Sequence, residues 1–454
     1  MRKLSEIKEE LTVKLRPAIL KSNPETNDEY LNNSLDRVKV IGMTGSRGKS
    51  TIAYLVHEYL KFKGKKSILY SSLGVDSPTS YKAYAPVETA IQSEETILEF
   101  LEEALQYNSD YLVLEVNETT IDKGLVDNFP FDVRALTGII PGHSMLYDVN
   151  YYINLKKSFL RASDSSKLVF GLTRGTTKEM MDELLTISPN EKVLFGSNHV
   201  IQTRGYNVSD FDFILKNERN YFKSLKGLDM EISAEGVSHE LNSKLILPFH
   251  TENILCVLSI LKACDELDIE TFKAFLANAV VPGREEVISF NERTIILSVN
   301  LNPQLEELKK MRHNKLLVVA GAEGIDFKSF IKEFPDEVIY QEKVTAIKKA
   351  AVYLKTYADK VYLTTNNNAN FKALEFLKYQ AKLLEGANYE VIVNRSEAIQ
   401  KAILESKEGD IIYIAGRGNR EKFLRSYEDM EIFSDKEEIL NVIDEMEDND
   451  ELDS

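Results

Sequence analysis

Residues 38–64 read VKVIGMTGSRGKSTIAYLVHEYLKFKG, and the reading of this stretch decides the fold. VKVIGM is an apolar run of strand length, and STIAYLVHEYL repeats its apolar positions at helical spacing. Between them lies GMTGSRGKST, a glycine-rich turn that opens a helix. Glycines there let backbone N–H groups turn toward phosphate oxygens, Lys49 supplies a point charge, and the hydroxyl of Ser50 or Thr51 can hold Mg²⁺. Gly45, Ser46, Arg47, Gly48, Lys49, Ser50 and Thr51 are therefore the candidate phosphate-binding residues. Met43 stands where the strict G-x-x-x-x-G-K-S loop has its first glycine, which turns the reading away from GTPases and ordinary kinases. A bare turn before a helix is the plainer alternative, and the GKS ending in strand–loop–helix context argues against it.

Outward from this loop, KKSILYSSLGV completes a βαβ unit, and ETILEFLEEALQY, DYLVLEVN and FDVRALTGII continue the alternation. Such a rhythm predicts a mostly parallel sheet with helices on both faces. Between residues 198 and 249 the helical signal fades, and FDFILKN and LDMEISA read as a small antiparallel patch. A helix over residues 251–267 follows, then VVPGREEV, whose Pro-Gly punctuation marks a linker. Beyond it RTIILSVN, KLLVVAG, KVYLTTN, YEVIVN and DIIYIAG alternate with helical stretches, including FKSFIKEF. The expected fold class is α/β: a P-loop central domain with a mostly parallel sheet plus a C-terminal doubly wound, Rossmann-like domain. The expected divisions are 1–37, an N-terminal helical extension; 38–281, the central domain; 282–435, the C-terminal domain; and 436–454, an acidic tail.

Composition narrows the function. The chain has 454 residues, 43% of them hydrophobic, enough for two or three cores. A formal charge of -16 opposes binding to nucleic-acid backbones. Nine acidic residues face one Lys between residues 436 and 454, which reads as a solvated, frayed end. Cys256 and Cys264 sit in an apolar helical stretch, so they read as core residues and exclude a disulfide framework or a four-cysteine zinc site. No apolar run reaches membrane-spanning length and the N-terminus has no signal-peptide h-region, so no membrane insertion and a cytoplasmic location are expected.

The loop resembles that of the Mur ligase superfamily, G-x-T-G-T-x-G-K-[ST]-[ST], with Ser46 in place of a Thr. The resemblance runs on in order. LVLEVNETT is similar to the strand ending E-V-S-S, which implies Glu115 as a Mg²⁺ ligand, with Asn117 in place of the first Ser. TGIIPGHSMLYDVNYYINLKKSFL is similar to T-N-I-x-x-D-H followed by Y-x-x-x-K, which implies His143 as ligand of a second Mg²⁺ and Lys156 as a carbamylated lysine, Lys157 being one step away. FHTENILCVLSIL resembles F-N-x-x-N-x-x-A-A and implies Asn253 as an adenine contact; VPGREEV resembles the G-R-x-E linker and implies that Arg284 reaches the nucleotide. NRSEAIQKAI and GDIIYIAGRGN resemble D-R-x-x-A-I and G-D-x-V-x-x-A-G-K-G-H of the tripeptide-synthetase branch.

The family's chemistry, as implied here, is ATP- and Mg²⁺-dependent amide formation through an acyl-phosphate, with Lys49, Glu115, His143 and Lys156 as catalytic residues and Ser50, Glu115 and His143 as metal ligands. The partners are then a small-molecule acid and an amino acid or amine. Each site residue also has a bland reading: Glu115 as a cap or salt-bridge residue, His143 as a turn residue, Lys156 as half of a solvated Lys pair. Several positions depart from the family pattern. Gly138 and Gly142 stand for Asn and Asp, Ser298 and Leu301 for Asp and His, and Ala369 for the Arg that reads a diaminopimelate carboxylate. Asn419 and Arg420 replace His and Glu, and the added Arg favours a negatively charged amino acid over a dibasic one. Diaminopimelate is thus not the expected substrate. Nor is a nucleotide sugar, since 37 residues ahead of Val38 are too few for the domain that anchors one in the peptidoglycan ligases. Two readings compete with an active ligase: a catalytically degraded, nucleotide-binding partner subunit, suggested by Gly138, Gly142, Ser298 and Leu301, and a plain ATPase or kinase. A homo-oligomer is left open.

Overall fold

The structure, a computed structural model, describes residues 38–77, 80–82, 94–127, 129, 131–140, 147–161, 165–217, 225–311, 313–324, 336–368, 372–425 and 429–452. The N-terminal extension, His143, Gly142, Ala369 and the FKSFIKEF segment lie outside the described residues.

The first unit is built on an eleven-stranded sheet. Its strands are β1 (Lys39–Thr44), β2 (Ser67–Ser71), β3 (Gly74–Ser77), β4 (Ser80–Lys82), β5 (Tyr111–Glu115), β6 (Val133–Leu136), β7 (Lys167–Leu172), β8 (Lys192–Ser197), β9 (Phe213–Asn217), β10 (Leu228–Ala234) and β11 (Val237–Ser243). They lie in the order β11-β10-β9-β8-β7-β6-β1-β5-β2-β3-β4. From β2 to β9 the neighbours are parallel, and antiparallel hairpins flank both ends. The expected antiparallel patch is present: FDFILKN forms β9 and LDMEISA forms β10, which pair antiparallel, while the other edge of β9 runs parallel to β8 and joins the patch to the main sheet.

Seven described helices serve this unit: α1 (Lys49–Phe62), α2 (Glu94–Gln106), α3 (Glu118–Asp122), α4 (Val149–Ser158), α5 (Lys178–Thr186), α6 (Asn198–Thr203) and α7 (His250–Ala263), with α8 (Ile269–Leu276) following α7 as an eighth. The β1 side chains divide between the faces as period two requires: Ile41 and Met43 join a core with α1 and α7, and Val40 joins a second core on the opposite face. Helices on both faces bury central strands completely, which is why those strands read as continuous apolar runs. Cys256 and Cys264 are buried in the α7 core without a disulfide.

The second unit has β12 (Glu286–Phe290), β13 (Arg293–Ser298), β14 (Leu316–Ala320), β15 (Lys360–Leu363), β16 (Tyr389–Val391) and β17 (Ile411–Ala415), in the order β12-β13-β17-β14-β15-β16, parallel except for β12. Helices α9 (Gln304–Lys310), α10 (Asp336–Tyr357), α11 (Ala373–Leu383) and α12 (Arg395–Glu405) connect them, and a two-stranded ribbon, β18 (Lys422–Leu424) with β19 (Met430–Ile432), leads to α13 (Asp435–Leu452). The acidic end is therefore no frayed tail. Ile439, Val442 and Ile443 are buried against α12, and Asp435 is clasped by the buried Arg395, whose Nε and Nη2 each donate to it at 2.7 Å. Acidic residues on the outer face hid the apolar positions spaced three and four apart that make this helix amphipathic. Among the described residues no helix is long and apolar enough to cross a membrane.

Candidate active site

The loop after β1 and the ends of β5 and β6 meet at one side of the large sheet, because β1 lies between β5 and β6 in strand order. Crevices beyond the carboxyl ends of parallel strands are where open α/β sheets bind ligands. Two glycines allow the loop its path. Gly45 approaches Thr137 so closely that a Cβ there would lie 2.1 Å from Oγ1. Gly48 caps α1 at φ +82°, and a Cβ on it would lie 2.4 Å from Asn253 Oδ1. Asn253, from α7, is thereby set against the loop.

The rest of the loop is tied to the end of β6. Ser46 N–H donates to Gly138 O at 2.9 Å, Ser46 Oγ accepts from Ile140 N–H at 2.8 Å and from the Tyr152 hydroxyl at 3.0 Å, and Thr137 Oγ1 donates to Arg47 O at 2.6 Å. Lys49 Nζ donates to Gly45 O at 2.9 Å. Gly138, a departure from the family pattern, thus supplies its carbonyl to the loop.

Beside the start of α1, Ser50 Oγ and Ser72 Oγ lie 2.5 Å apart, and the Glu115 carboxylate accepts from Ser72 N–H at 2.8 Å. Arg284, from the linker, reaches across and donates from Nη2 to Ser72 Oγ at 3.0 Å and Ser50 Oγ at 3.3 Å. Burial pushes the Arg284 guanidinium below its ordinary pKa, against the charge of Glu115. A guanidinium thus already rests on this pair of hydroxyls, so their oxygens suit a positive group.

The two candidate lysines separate cleanly. Lys156 Nζ is fully buried and donates to Thr44 Oγ1 at 3.0 Å and Glu118 Oε2 at 2.8 Å. Lys157, on the same helix, pairs with Glu183 on α5, away from the loop. Neither belongs to a solvated face. Burial, followed by the charge of Lys49, lowers Lys156 to about 8, with Glu118 opposing. Burial alone would raise Glu118, but Lys156 and then Lys49 hold it at about 2. Glu118 was missed in the sequence; its signal is a second acid one turn beyond Glu115, where the resembling pattern has Ser.

A cleft of about 550 Å³ joins these parts, lined by the loop, Ser72, Glu115, Asn253, Arg284 and residues of the second unit such as Asn302 and Gln304. Its volume lies within the range of small-molecule sites. Arg284 Nε, Asn302 Oδ1 and Gln304 Oε1 are buried polar atoms without a hydrogen-bond partner, the kind of group a ligand satisfies. Ser46, Arg47, Gly48, Lys49, Ser50, Thr51, Glu115, Asn253 and Arg284 all line it, and Gly45 immediately precedes that run. Lys156 lies behind its wall, one hydrogen bond from the end of β1. The units are also joined by Asn419, whose Nδ2 donates to Leu73 O at 2.9 Å.

Comparison with known proteins bears on the whole chain. The family models described as Mur ligase middle domain and as Mur ligase, glutamate ligase domain match residues 43–261 and 283–418. Among curated relatives, the UDP-N-acetylmuramoyl-L-alanyl-D-glutamate--2,6-diaminopimelate ligase of Clostridium perfringens is 23% identical over 421 residues, covering 88% of this chain and 76% of the relative. The enzyme of the same name from Helicobacter pylori is 23% identical, with 96% and 90% covered. Among solved structures, a folylpolyglutamate synthase from Thermotoga maritima aligns with a TM-score of 0.60 at 17% identity, covering 92% of this chain and 91% of that one. A MurF ligase from the same organism, in complex with ADP, aligns at 0.59 and 16%, covering 96% and 83%. Two family models in chain order over both units, with the fold shared by these structures, establish that the chain belongs to the Mur ligase family.

Proposed function

We propose that this protein is an ATP-dependent ligase that joins a carboxylate to an amino acid or amine through an acyl-phosphate. The observation that carries the reading is the convergence of the glycine loop, Glu115 and the linker residue Arg284 on one cleft between the two sheets. In this reading the loop amides and Lys49 bind the triphosphate, Asn253 faces the adenine end, and Arg284 balances charge from the hinge. Ser50 and Glu115 offer hard oxygen donors that fit Mg²⁺. His143, expected to hold a second ion, lies outside the described residues. Mg²⁺, when bound, neutralises charge on the transferring phosphoryl group.

The bond changes are two. A carboxylate oxygen attacks the γ-phosphorus and ADP leaves; a neutral amine then attacks the acyl carbon, phosphate leaves, and the amine loses a proton. What the chain supplies is positioning and fixed positive charge, which is where phosphoryl transfer obtains most of its acceleration. Of the two lysines, Lys156 is the one whose lowered pKa and burial suit carbamylation. A carbamate there would stand beside the Glu118 carboxylate, so this reading couples the modification to a cation held between them.

The degraded-subunit alternative finds no support in the comparisons, and two of its suggestive positions, Ser298 and Leu301, have structural partners. Ser298 Oγ donates to the buried Glu285 at 2.9 Å, and Leu301 packs into the second unit's core. The test is ADP release across a panel of acids and amines. Turnover requiring both together, and lowered at least about a hundredfold in Lys49→Ala, is expected; hydrolysis indifferent to the amine, or none with any pair, refutes the reading.

A further inference from the structure

Next to Arg284 the linker buries a carboxylate. Glu285 is 4% exposed and takes a left-handed φ of +53°, which a residue with a Cβ disfavours. Strain of this kind persists where the surroundings fix it. Here both carboxylate oxygens are engaged, one by each unit. Oε1 accepts from Ser298 Oγ, at the end of β13, at 2.9 Å. Oε2 lies 3.3 Å from His250 Nε2, at the start of α7. The His250 ring is oriented by Asn253: its Nδ1 lies 3.2 Å from Asn253 Nδ2, an amide nitrogen that can only donate, so the ring hydrogen on Nε2 faces Glu285. On the other side Asn300 N–H donates to Ser298 Oγ at 3.1 Å, and the Tyr413 hydroxyl donates to Asn300 O at 2.6 Å. A buried polar path thus runs from Asn253, set against the glycine loop, through Glu285 into the second unit. Burial alone would raise the Glu285 carboxyl, but His250, Ser298 and Arg284 hold it below its ordinary value.

The units also pack against each other at this point. Ile246 and Leu247, just ahead of His250, are buried in the second unit's core, and Phe249 packs against it. Val299 N–H donates to Gly283 O at 3.0 Å, which fastens the linker to the second unit. The residues in contact depart from the family pattern together. His250 stands where F-N-x-x-N has its first Asn, Ser298 stands for an Asp, and Glu285 fills the open position of G-R-x-E. The carboxylate that the pattern puts at the end of β13 is thus carried here by the linker, 2.9 Å from Ser298 and facing a ring donor on α7. We propose that Glu285 is a positioning residue that pins the linker between α7 and β13, in place of a carboxylate at position 298, and so sets how the second unit stands over the nucleotide cleft. It acts through its neighbours Arg284 and Asn253, which line that cleft. Its bearing on amide formation rests on the ligase reading; its hold on the orientation of the units does not.

The test is double electron–electron resonance on the full chain, with and without ADP and Mg²⁺, spin-labelled at Val237→Cys in the first unit and Lys372→Cys in the second. Both positions are exposed, and Cys256 and Cys264 are buried away from the label. Glu285→Gln, of equal size, should broaden the distribution of distances between the units at least about twofold. Adding Ser298→Asp, which returns a negative charge to the same contact, should bring the width back to within about a quarter of its starting value. Ser298→Ala leaves the charge in place and removes one donor, so it should broaden the distribution about half as much. That milder variant carries the test should Glu285→Gln not fold. A carboxylate that only stabilises the fold would lower the unfolding midpoint and leave the width alone, and an unchanged width in the folded variants overturns the proposal. So does broadening that Ser298→Asp fails to reverse. Failure of the unsubstituted protein to bind ADP instead removes the ligase reading, while the widths measured without nucleotide still decide the role of Glu285.

Discussion

Glu118→Gln should destabilise the first unit by an amount that depends on pH in a defined way. In the native protein the fully buried Lys156 ammonium is held by Glu118 at 2.8 Å, with Thr44 Oγ1 as its second acceptor. Removing one partner of a buried ion pair costs about 3–5 kcal/mol. Two features lower that here. Glu118 is 27% exposed, so water already screens part of the attraction. Lys156, already lowered to about 8, can also escape by losing its proton, at about 1.4 kcal/mol for each unit between its pKa and the solution pH. A loss of about 2 kcal/mol at pH about 6.5 is expected. The attraction exists while Lys156 is charged, so it is present below about 8 and lost as pH rises through that value. Because the unfolded chain binds the lysine proton up to its ordinary value of 10.5, wild-type stability rises with pH between about 8 and 10.5 on this account, and in the variant the rise starts lower. The two curves should converge by pH about 9.5. Urea unfolding followed by far-UV circular dichroism at several pH values measures this, and Glu118→Gln combined with Lys156→Met should recover most of the loss. A difference below about 0.5 kcal/mol at pH 6.5, or one that stays constant with pH, refutes the reasoning.

Two further substitutions test other parts. Gly48→Ala places a Cβ at a left-handed position facing Asn253, which costs about 1–2 kcal/mol of strain before Asn253 is displaced, so fluorescent-ADP affinity should fall about tenfold or more; unchanged affinity would mean the loop reshapes freely. Ile439→Ala, at a fully buried position of α13, should cost about 2–4 kcal/mol in urea unfolding, whereas a solvated acidic tail would tolerate it within about 0.5 kcal/mol.

That the glycine loop and Glu115 share a cleft was legible because their pattern is local: a glycine turn, a lysine and a strand-end acid can be read wherever the chain goes. The choice between Lys156 and Lys157 was not, since it turns on which face of a ten-residue helix points at β1. Glu118 escaped notice for the same reason; its partner lies 38 residues away. Ser298 and Leu301 read as losses because their replacements for expected polar groups were visible, while the contacts that employ them were not. The C-terminal helix was concealed by charge density.

The ties between the glycine loop and the end of β6 bear on kinetics. Ser46 and Arg47 are anchored through Gly138, Ile140, Tyr152 and Thr137 by the protein's own hydrogen bonds, so the loop's amides have little conformational freedom to surrender on binding a nucleotide. Capture should then be a single fast step whose rate scales with nucleotide concentration, and slower phases in a stopped-flow trace would report the two sheets drawing together rather than the cradle taking shape.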